Sequence, residues 1–293
     1  MKIGWIGTGQ MGFPMAGNLL KAGHEVSVFD LKPDNVGTLA AQGATAAGSV
    51  AAACDGADAV FSSIPDDLAL RRVALMAGGV MPSAARGTVY VDMSTVSPDV
   101  SKEVALAARQ RGVDYLRAPV SGSVALAEAG TLTVMVSGPE EAAQKCAPLF
   151  DVLGAKWFHV GEDEQARFLK LAINNIVHAT AVAVAESLAV GRAGGLDWKQ
   201  MIDVIAASAV GSPLMLYKAE PLKSRDFSPA SFMSTSAKDQ ELFVDAARDA
   251  GVPVDIAANV AGVFREMLTS PESAQDFFAT VLRTERLAGL GEP

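Results

Sequence analysis

Hydrophobic positions in the first half of the chain fall in short β-rich runs, separated by longer stretches with helical spacing. Lys2–Ile6 reads as a strand, Met11–Ala22 as a helix stopped by Gly23, and Glu25–Asp30 as a second strand. Ala57–Ile64 is a third strand, ended by Pro65. Thr88–Asp92, Asp114–Ala118, Leu132–Ser137 and Trp157–Val160 continue the series, with helices over Pro98–Arg111 and Pro139–Val152 between them. Strands alternating with helices predict βαβ units and a mostly parallel sheet.

The pattern changes near Gly161, beyond which almost no strand signal remains. A long Ala/Val/Leu-rich stretch without proline runs from about Glu164 to Arg192 and stops at Gly194-Gly195. Helical spacing then continues over Trp198–Ala207, Ser234–Ala250, Pro253–Thr269 and Ser273–Arg286, with Asp197 as N-cap of the first and Gly251 as C-cap of the second. The expected fold class is α/β, with a parallel α/β domain over residues 1–161 followed by an all-α domain over 162–293.

Composition narrows the function. Half of the 293 residues are hydrophobic and 19% are charged, a globular balance. The net charge of −9 opposes a phosphate-binding surface, so nucleic acid is not an expected partner. Cys54 and Cys146 are too few for a disulfide framework or a Cys-rich metal site and fit a reducing compartment. The longest uncharged run, Leu171–Ala185, falls short of the ~20 residues of a membrane span. A strand-forming run beginning at Lys2 argues against a signal peptide. The expectation is a soluble, cytoplasmic protein without a membrane partner and without a metal.

The chemistry begins at Gly7-Thr8-Gly9-Gln10-Met11-Gly12, which follows the first strand and opens the first helix. In this Rossmann fingerprint the first Gly makes the tight turn, the second lets backbone approach a pyrophosphate, and the third lets helix pack on strand. The helix N-terminus adds N–H donors and a positive dipole end. Asp30 ends the second strand, 18 residues past Gly12, where a carboxylate can hold both ribose hydroxyls of NAD and repel the 2′-phosphate of NADP. NAD is therefore the expected cofactor and NADP the less favoured one. Ile64-Pro65 and Ser94-Thr95 follow two further strands, at the ends where open α/β sheets bind ligands.

These residues resemble the β-hydroxyacid dehydrogenase family, whose best-known activity is 3-hydroxyisobutyrate oxidation, and the resemblance runs over essentially the whole chain. It begins at Ile6-Gly7-Thr8-Gly9-Gln10-Met11-Gly12-Phe13-Pro14-Met15-Ala16-Gly17-Asn18, a pattern far more specific than the glycines alone. Val28-Phe29-Asp30-Leu31-Lys32-Pro33 is similar to the NAD-preferring branch. Arg117-Ala118-Pro119-Val120-Ser121-Gly122-Ser123, ahead of Ala129-Gly130-Thr131-Leu132, resembles the family's substrate motif. The resemblance implies that the Ser121 hydroxyl and the N–H groups of Gly122 and Ser123 hold a carboxylate. Lys170 with Asn174 resembles the catalytic pair, and residues four apart share a helix face. Leu169, Leu171, Ala172 and Ile173 predict a largely buried helix around that lysine. Lys238-Asp239 is similar to the family's Lys-Asp, which implies a lysine near the nicotinamide; without the family it reads as a surface ion pair.

The chain also departs from the family. Arg117 stands where the family has Asp, Ser123 where it usually has Gly, and Ala125-Leu126 replace a pair that often contains Gly. Glu162–Arg167 lacks the usual glycines. These changes leave the chemistry in place and bear on the shape of the substrate pocket. His178, eight positions after Lys170, is placed either to reach the substrate or, the favoured reading, as a packed or interface histidine, and no metal spacing surrounds His24 or His159. Both cysteines lack a flanking base and read as inert.

The expected enzyme is an NAD-dependent oxidoreductase that interconverts a small 3-hydroxy acid and its semialdehyde. Alternatives are a glyoxylate, succinic or tartronate semialdehyde reductase and, from another class, a non-catalytic NAD-binding sensor. The long Glu164–Arg192 helix buries its second face poorly within one small domain, so a homo-oligomer assembled through the C-terminal half is expected.

Overall fold

The structure, a computed structural model, describes residues 1–291. The chain divides into two compact units, one over Met1–Lys170 and a second from Leu171.

The first unit is built on β1 (Lys2–Ile6), β2 (Glu25–Phe29), β3 (Thr45–Ala46), β4 (Ala59–Ser62), β5 (Val89–Asp92) and β6 (Asp114–Arg117). They form one parallel sheet in the order β3-β2-β1-β4-β5-β6. Strands buried on both faces need near-continuous hydrophobic runs, and β4 and β5 are buried at every position. Alternate side chains serve opposite faces. Trp5 stacks on Phe61 at 5.4 Å within one core, and Tyr90 stacks on Tyr115 at 5.4 Å within the other. A smaller sheet holds β7 (Val120–Ser121), β8 (Leu132–Val136) and β9 (Gly154–His159), with β7 antiparallel and β9 parallel to β8.

The second unit is helical among the described residues, with helices over Gln165–Ala193 (from Leu171 onward), Trp198–Ala207, Pro213–Ser224, Met233–Asp249, Asp255–Met267 and Thr280–Leu287. Asp197 caps the second of these by accepting from the Gln200 N–H at 2.8 Å. Gly251, at φ 69°, follows the Met233–Asp249 helix.

Three expectations are corrected. The Ser273–Arg286 segment is not one helix but a 3₁₀ turn, Phe277–Ala279, followed by Thr280–Leu287. Its start is displaced because the buried Asp276 carboxylate takes the Lys218 ammonium at 2.7 Å and backbone N–H groups of Ala230, Ser231 and Phe278. The Pro213–Ser224 helix was hidden by its internal Pro221, although Ser212 and Pro213 supply an N-cap and a first-turn proline. The third correction concerns Gln165–Ala193. At 29 residues it is long and apolar enough to cross a membrane by length and composition, because it tolerates charges at its ends that interrupt the uncharged run. Its Ala181, Ala185 and Leu188 lie in the core of the second unit.

Candidate active site

All six strands of the large sheet run in one direction, so the loops leaving their C-terminal ends share one edge. Gly7–Gly12, Asp30, Ile64-Pro65, Ser94-Thr95 and the turn after Arg117 all leave the sheet there.

The glycine loop has three distinct environments. Gly7 adopts φ +90°, and a Cβ on it would lie 2.2 Å from the Ser63 carbonyl oxygen. A Cβ on Gly12 would lie 2.0 Å from the Gly7 carbonyl oxygen. A Cβ on Gly9 would meet nothing within 4 Å, so the chain leaves open space beside that backbone. Gln10 is exposed and Met11 half-buried, just ahead of the Gly12–Lys21 helix. Thr8 is fully buried, and its N–H donates to Asp30 Oδ2 at 2.6 Å. Asp30 Oδ1 accepts from the Lys32 N–H at 2.8 Å. Asn35, which the sequence reading missed, donates through Nδ2 to the Thr8 carbonyl at 2.5 Å. Two backbone donors thus orient the half-buried Asp30 carboxylate beside the loop.

The next two loops are joined. The Ile64 N–H donates to Ser94 Oγ at 3.0 Å, with Pro65 exposed and Thr95 half-buried beside them. Ser94 Oγ and Ser62 Oγ both donate to the buried Asp92 Oδ1, at 2.7 and 2.6 Å. Burial pushes the neighbouring Tyr90 and Tyr115 hydroxyls above their ordinary range.

After β6, Ser121 closes β7, and Gly122 takes φ 143°, where a Cβ would lie 2.7 Å from Leu132 Cδ2. Ser123 is the N-cap of the short Val124–Glu128 helix, but its hydroxyl makes no cap hydrogen bond. Ala125 and Leu126 are exposed on that helix. Arg117 takes no part in this turn: its guanidinium is buried against Glu164 and lies 4.7 Å from the Tyr115 ring. Arg117 thus has a structural partner of its own in Glu164.

Lys170 is half-buried, near the start of the Gln165–Ala193 helix. The helix is less buried here than its apolar sequence predicts. Leu171 is buried, but Leu169 is 38% exposed, because its turn faces away from the sheet-side anchor at Arg167. Arg167 is fully buried and donates to Ser94 O, Asp92 Oδ2 and Tyr115 OH. Burial opposes its charge, and Tyr115 and Asp92 outweigh that effect and hold the guanidinium above its usual range.

In the second unit, the buried Asn174 donates through Nδ2 to Asp239 Oδ2 at 2.8 Å, and Lys238 Nζ lies 2.7 Å from Asp239 Oδ1. The two candidate residues of this unit are therefore joined through one carboxylate. Asp239 is buried, so the Lys238–Asp239 pair is not the exposed surface pair of the alternative reading. His178 is packed: Nδ1 lies 3.0 Å from Gln240 Oε1, and the ring meets Phe264 and Phe277 edge-on. Among the described residues no group of three or more His, Cys, Asp or Glu has a metal-binding arrangement. Sequence reading missed Asp92, Arg167 and the bridging role of Asp239. An arginine three residues before the candidate lysine and an acid closing an apolar strand were the available signals.

A doubly wound parallel sheet with this glycine loop and an acid just after β2 defines a dinucleotide-binding domain. Residues 2–161 match the family described as the NAD binding domain of 6-phosphogluconate dehydrogenase. Residues 165–283 match the family described as NAD-binding of NADP-dependent 3-hydroxyisobutyrate dehydrogenase. The chain is 36% identical over 283 residues to an NAD-dependent L-serine dehydrogenase of Pseudomonas aeruginosa, covering 94% of this chain and 95% of that one. It is 35% identical over 291 residues to a 2-(hydroxymethyl)glutarate dehydrogenase of Eubacterium barkeri, covering 99% and 97%. A solved structure of a Mycobacterium tuberculosis 3-hydroxyisobutyrate dehydrogenase with L-serine superimposes with a TM-score of 0.87 at 28% identity, covering 96% of this chain and 98% of that one. The chain belongs to the β-hydroxyacid dehydrogenase family. It is an NAD-dependent oxidoreductase acting on the CH–OH group of hydroxy acids.

Proposed function

We propose that the chain oxidises the hydroxymethyl group of a small acid of the form HOCH₂–CHR–COO⁻ to the aldehyde. One observation carries the reading. Serine, 2-(hydroxymethyl)glutarate and 3-hydroxyisobutyrate, named in the matched relatives, share that unit and differ only in R.

The residues fit a nicotinamide dinucleotide. The open space beside Gly9 admits a pyrophosphate where a side chain would exclude it. Asp30, held by two backbone N–H groups, keeps acceptor capacity for ribose hydroxyls. When bound, NAD supplies the hydride acceptor. The loop Gly7, Thr8, Gly9, Gln10, Met11 and Gly12 would hold its phosphates, with the buried Thr8 acting through the N–H that orients Asp30, and Ile64, Pro65 and Thr95 would be the further cofactor-binding residues of the first unit; Lys238 is the cofactor-binding residue proposed in the second. Ser121, with the N–H groups of Gly122 and Ser123, holds the substrate carboxylate. Lys170 takes the hydroxyl proton and stabilises the developing oxyanion. Asn174 donates its second amide N–H to the same oxygen, the first being engaged by Asp239.

Assembly belongs to this reading. Ile176 and Val190 on the long helix are 66% and 74% exposed, an apolar face suited to a second copy. A cytoplasmic setting accords with two unpaired, buried thiols.

The test is the initial rate of nicotinamide reduction with NAD or NADP over L-serine, 3-hydroxyisobutyrate, 3-hydroxypropionate and 2-(hydroxymethyl)glutarate. Turnover of at least one with NAD is expected. NAD binding with silence across the panel, and with the matching semialdehydes in reverse, would overturn the reading. Light scattering should give a mass above that of one chain.

A further inference from the structure

The mechanism leaves unused one of the largest fully buried side chains in the molecule, an arginine one helical turn from Lys170. Arg167 is 1% exposed. Its Nη1 donates to the Ser94 carbonyl at 2.6 Å, its Nη2 to Asp92 Oδ2 at 2.5 Å and to Tyr115 OH at 2.9 Å, and its Nε to Ser101 Oγ at 3.3 Å. The other Asp92 oxygen holds Ser62 and Ser94, and Ser94 Oγ in turn accepts the Ile64 N–H. One guanidinium therefore fastens the start of the long helix to both loops, Ile64-Pro65 and Ser94-Thr95, that leave the middle of the sheet.

We propose that Arg167 is a positioning residue. It sets the depth and rotation of the helix start against the β4 and β5 loops, and thereby the place of Lys170.

Residues three apart on a helix are neighbours on one face, separated by about 4.5 Å of rise, so a shift of the Arg167 turn carries Lys170 with it. The planar fork matters. Three acceptors at fixed directions define the position and orientation of the turn, which a single ammonium cannot do. A displacement of about 1 Å at a reacting group costs on the order of 100-fold in rate, which is the scale on which such an anchor acts. A second anchor, Ser137 Oγ donating to Asp163 O and accepting from Ala166 N, spans the helix start, and the fork adds its three directed contacts from the next residue.

The inference rests on the assignment of Lys170 to proton transfer, so the experiment includes Lys170→Ala. The purified full chain is assayed for oxidation of whichever panel acid it turns over, and NAD affinity is titrated separately. Arg167→Lys should lower kcat about 10- to 100-fold, a larger loss than any it causes in NAD affinity through the Ile64-Pro65 and Ser94-Thr95 loops. Arg167→Met should lower kcat further. Tyr115→Phe, which removes one of the three strong acceptors and keeps the packing, should lower it by a few-fold and decides the matter if the arginine variants do not fold. Folded Arg167→Lys and Tyr115→Phe enzymes with wild-type kcat, or with the loss confined to the KM for NAD, would overturn the positioning role. Wild-type turnover in Lys170→Ala would instead sink the assignment of Lys170, whatever the Arg167 variants do.

Discussion

Arg117 and Glu164 form one buried ion pair: Arg117 donates from both Nε and Nη2 to a single carboxylate oxygen, Glu164 Oε1. Both side chains are nearly inaccessible, at 4% and 6% exposure. The two residues belong to two separate departures from the family pattern, Asp replaced by Arg in the motif after β6 and glycines lost before Lys170. In the folded chain these departures are two halves of one contact. A glycine at 164 would leave Arg117 buried without its partner, and an aspartate at 117 would face Glu164 with a like charge.

That pairing predicts strong non-additivity. Removing one member of a buried ion pair strands the other charge, at a cost of about 3–5 kcal/mol, whereas replacing both by apolar residues is often close to neutral. Arg117→Met and Glu164→Leu should each destabilise the chain by that amount in urea unfolding, and the double variant should recover most of the loss. Simple addition of the two single costs would show that the pair is not a unit.

The glycine loop separates fold from cofactor binding. Gly12→Ala drives a methyl to 2.0 Å from a backbone oxygen, so the loop or helix must move and the melting temperature should fall by several degrees. Gly9→Ala meets no protein atom and should melt near wild type. Its methyl occupies the space assigned to the pyrophosphate, so NAD affinity should fall by at least tenfold. Isothermal titration beside a thermal melt tests both. Unchanged NAD affinity in Gly9→Ala would remove the pyrophosphate from that place.

Asp30 should govern the choice of dinucleotide. Its carboxylate is already oriented by the Thr8 and Lys32 N–H groups, so Asp30→Asn keeps the shape and removes the charge. The loss of a negative charge beside the ribose should lower the NAD-to-NADP ratio of kcat/KM by at least tenfold. The ratio from parallel rate measurements is the readout, and an unchanged value would place discrimination elsewhere.

The order of strands and helices in the first unit was legible because parallel strands buried on both faces need apolar runs, and Ala57–Ile64 and Thr88–Asp92 are such runs. The glycine loop was legible because its backbone demands leave few residue choices. Two short strands, Thr45–Ala46 and Val120–Ser121, were not, since two residues carry no periodicity. The Arg167–Asp92 contact joins residues 75 apart in sequence, and the Asn174–Asp239 contact residues 65 apart. Such pairs are created by the fold, and neither partner announces the other locally. Arg117 was visible as an anomaly, but its meaning depended on Glu164, 47 positions later.

The two thiols predict a defined alkaline weakness. Burial pushes Cys54 up to about 11 and Cys146 up to about 12. In the unfolded chain both titrate near their ordinary value, so above about pH 9 the unfolded state has shed thiol protons that the native state still holds. Fewer protons on the unfolded state means that stability falls as pH rises, by about 1.4 kcal/mol per pH unit for each thiol until its native value is reached. Tyr90 and Tyr115, also raised by burial, add the same sign above about pH 10. Below pH 8 neither thiol contributes a slope. Urea unfolding at pH 7, 8, 9 and 10 should show stability nearly level across the first interval, beginning to fall across the second and falling most steeply across the third. Cys54→Ala combined with Cys146→Ala should flatten the fall, even if small cavities lower stability at every pH. An equally steep fall in that double variant would show that other groups carry the alkaline dependence.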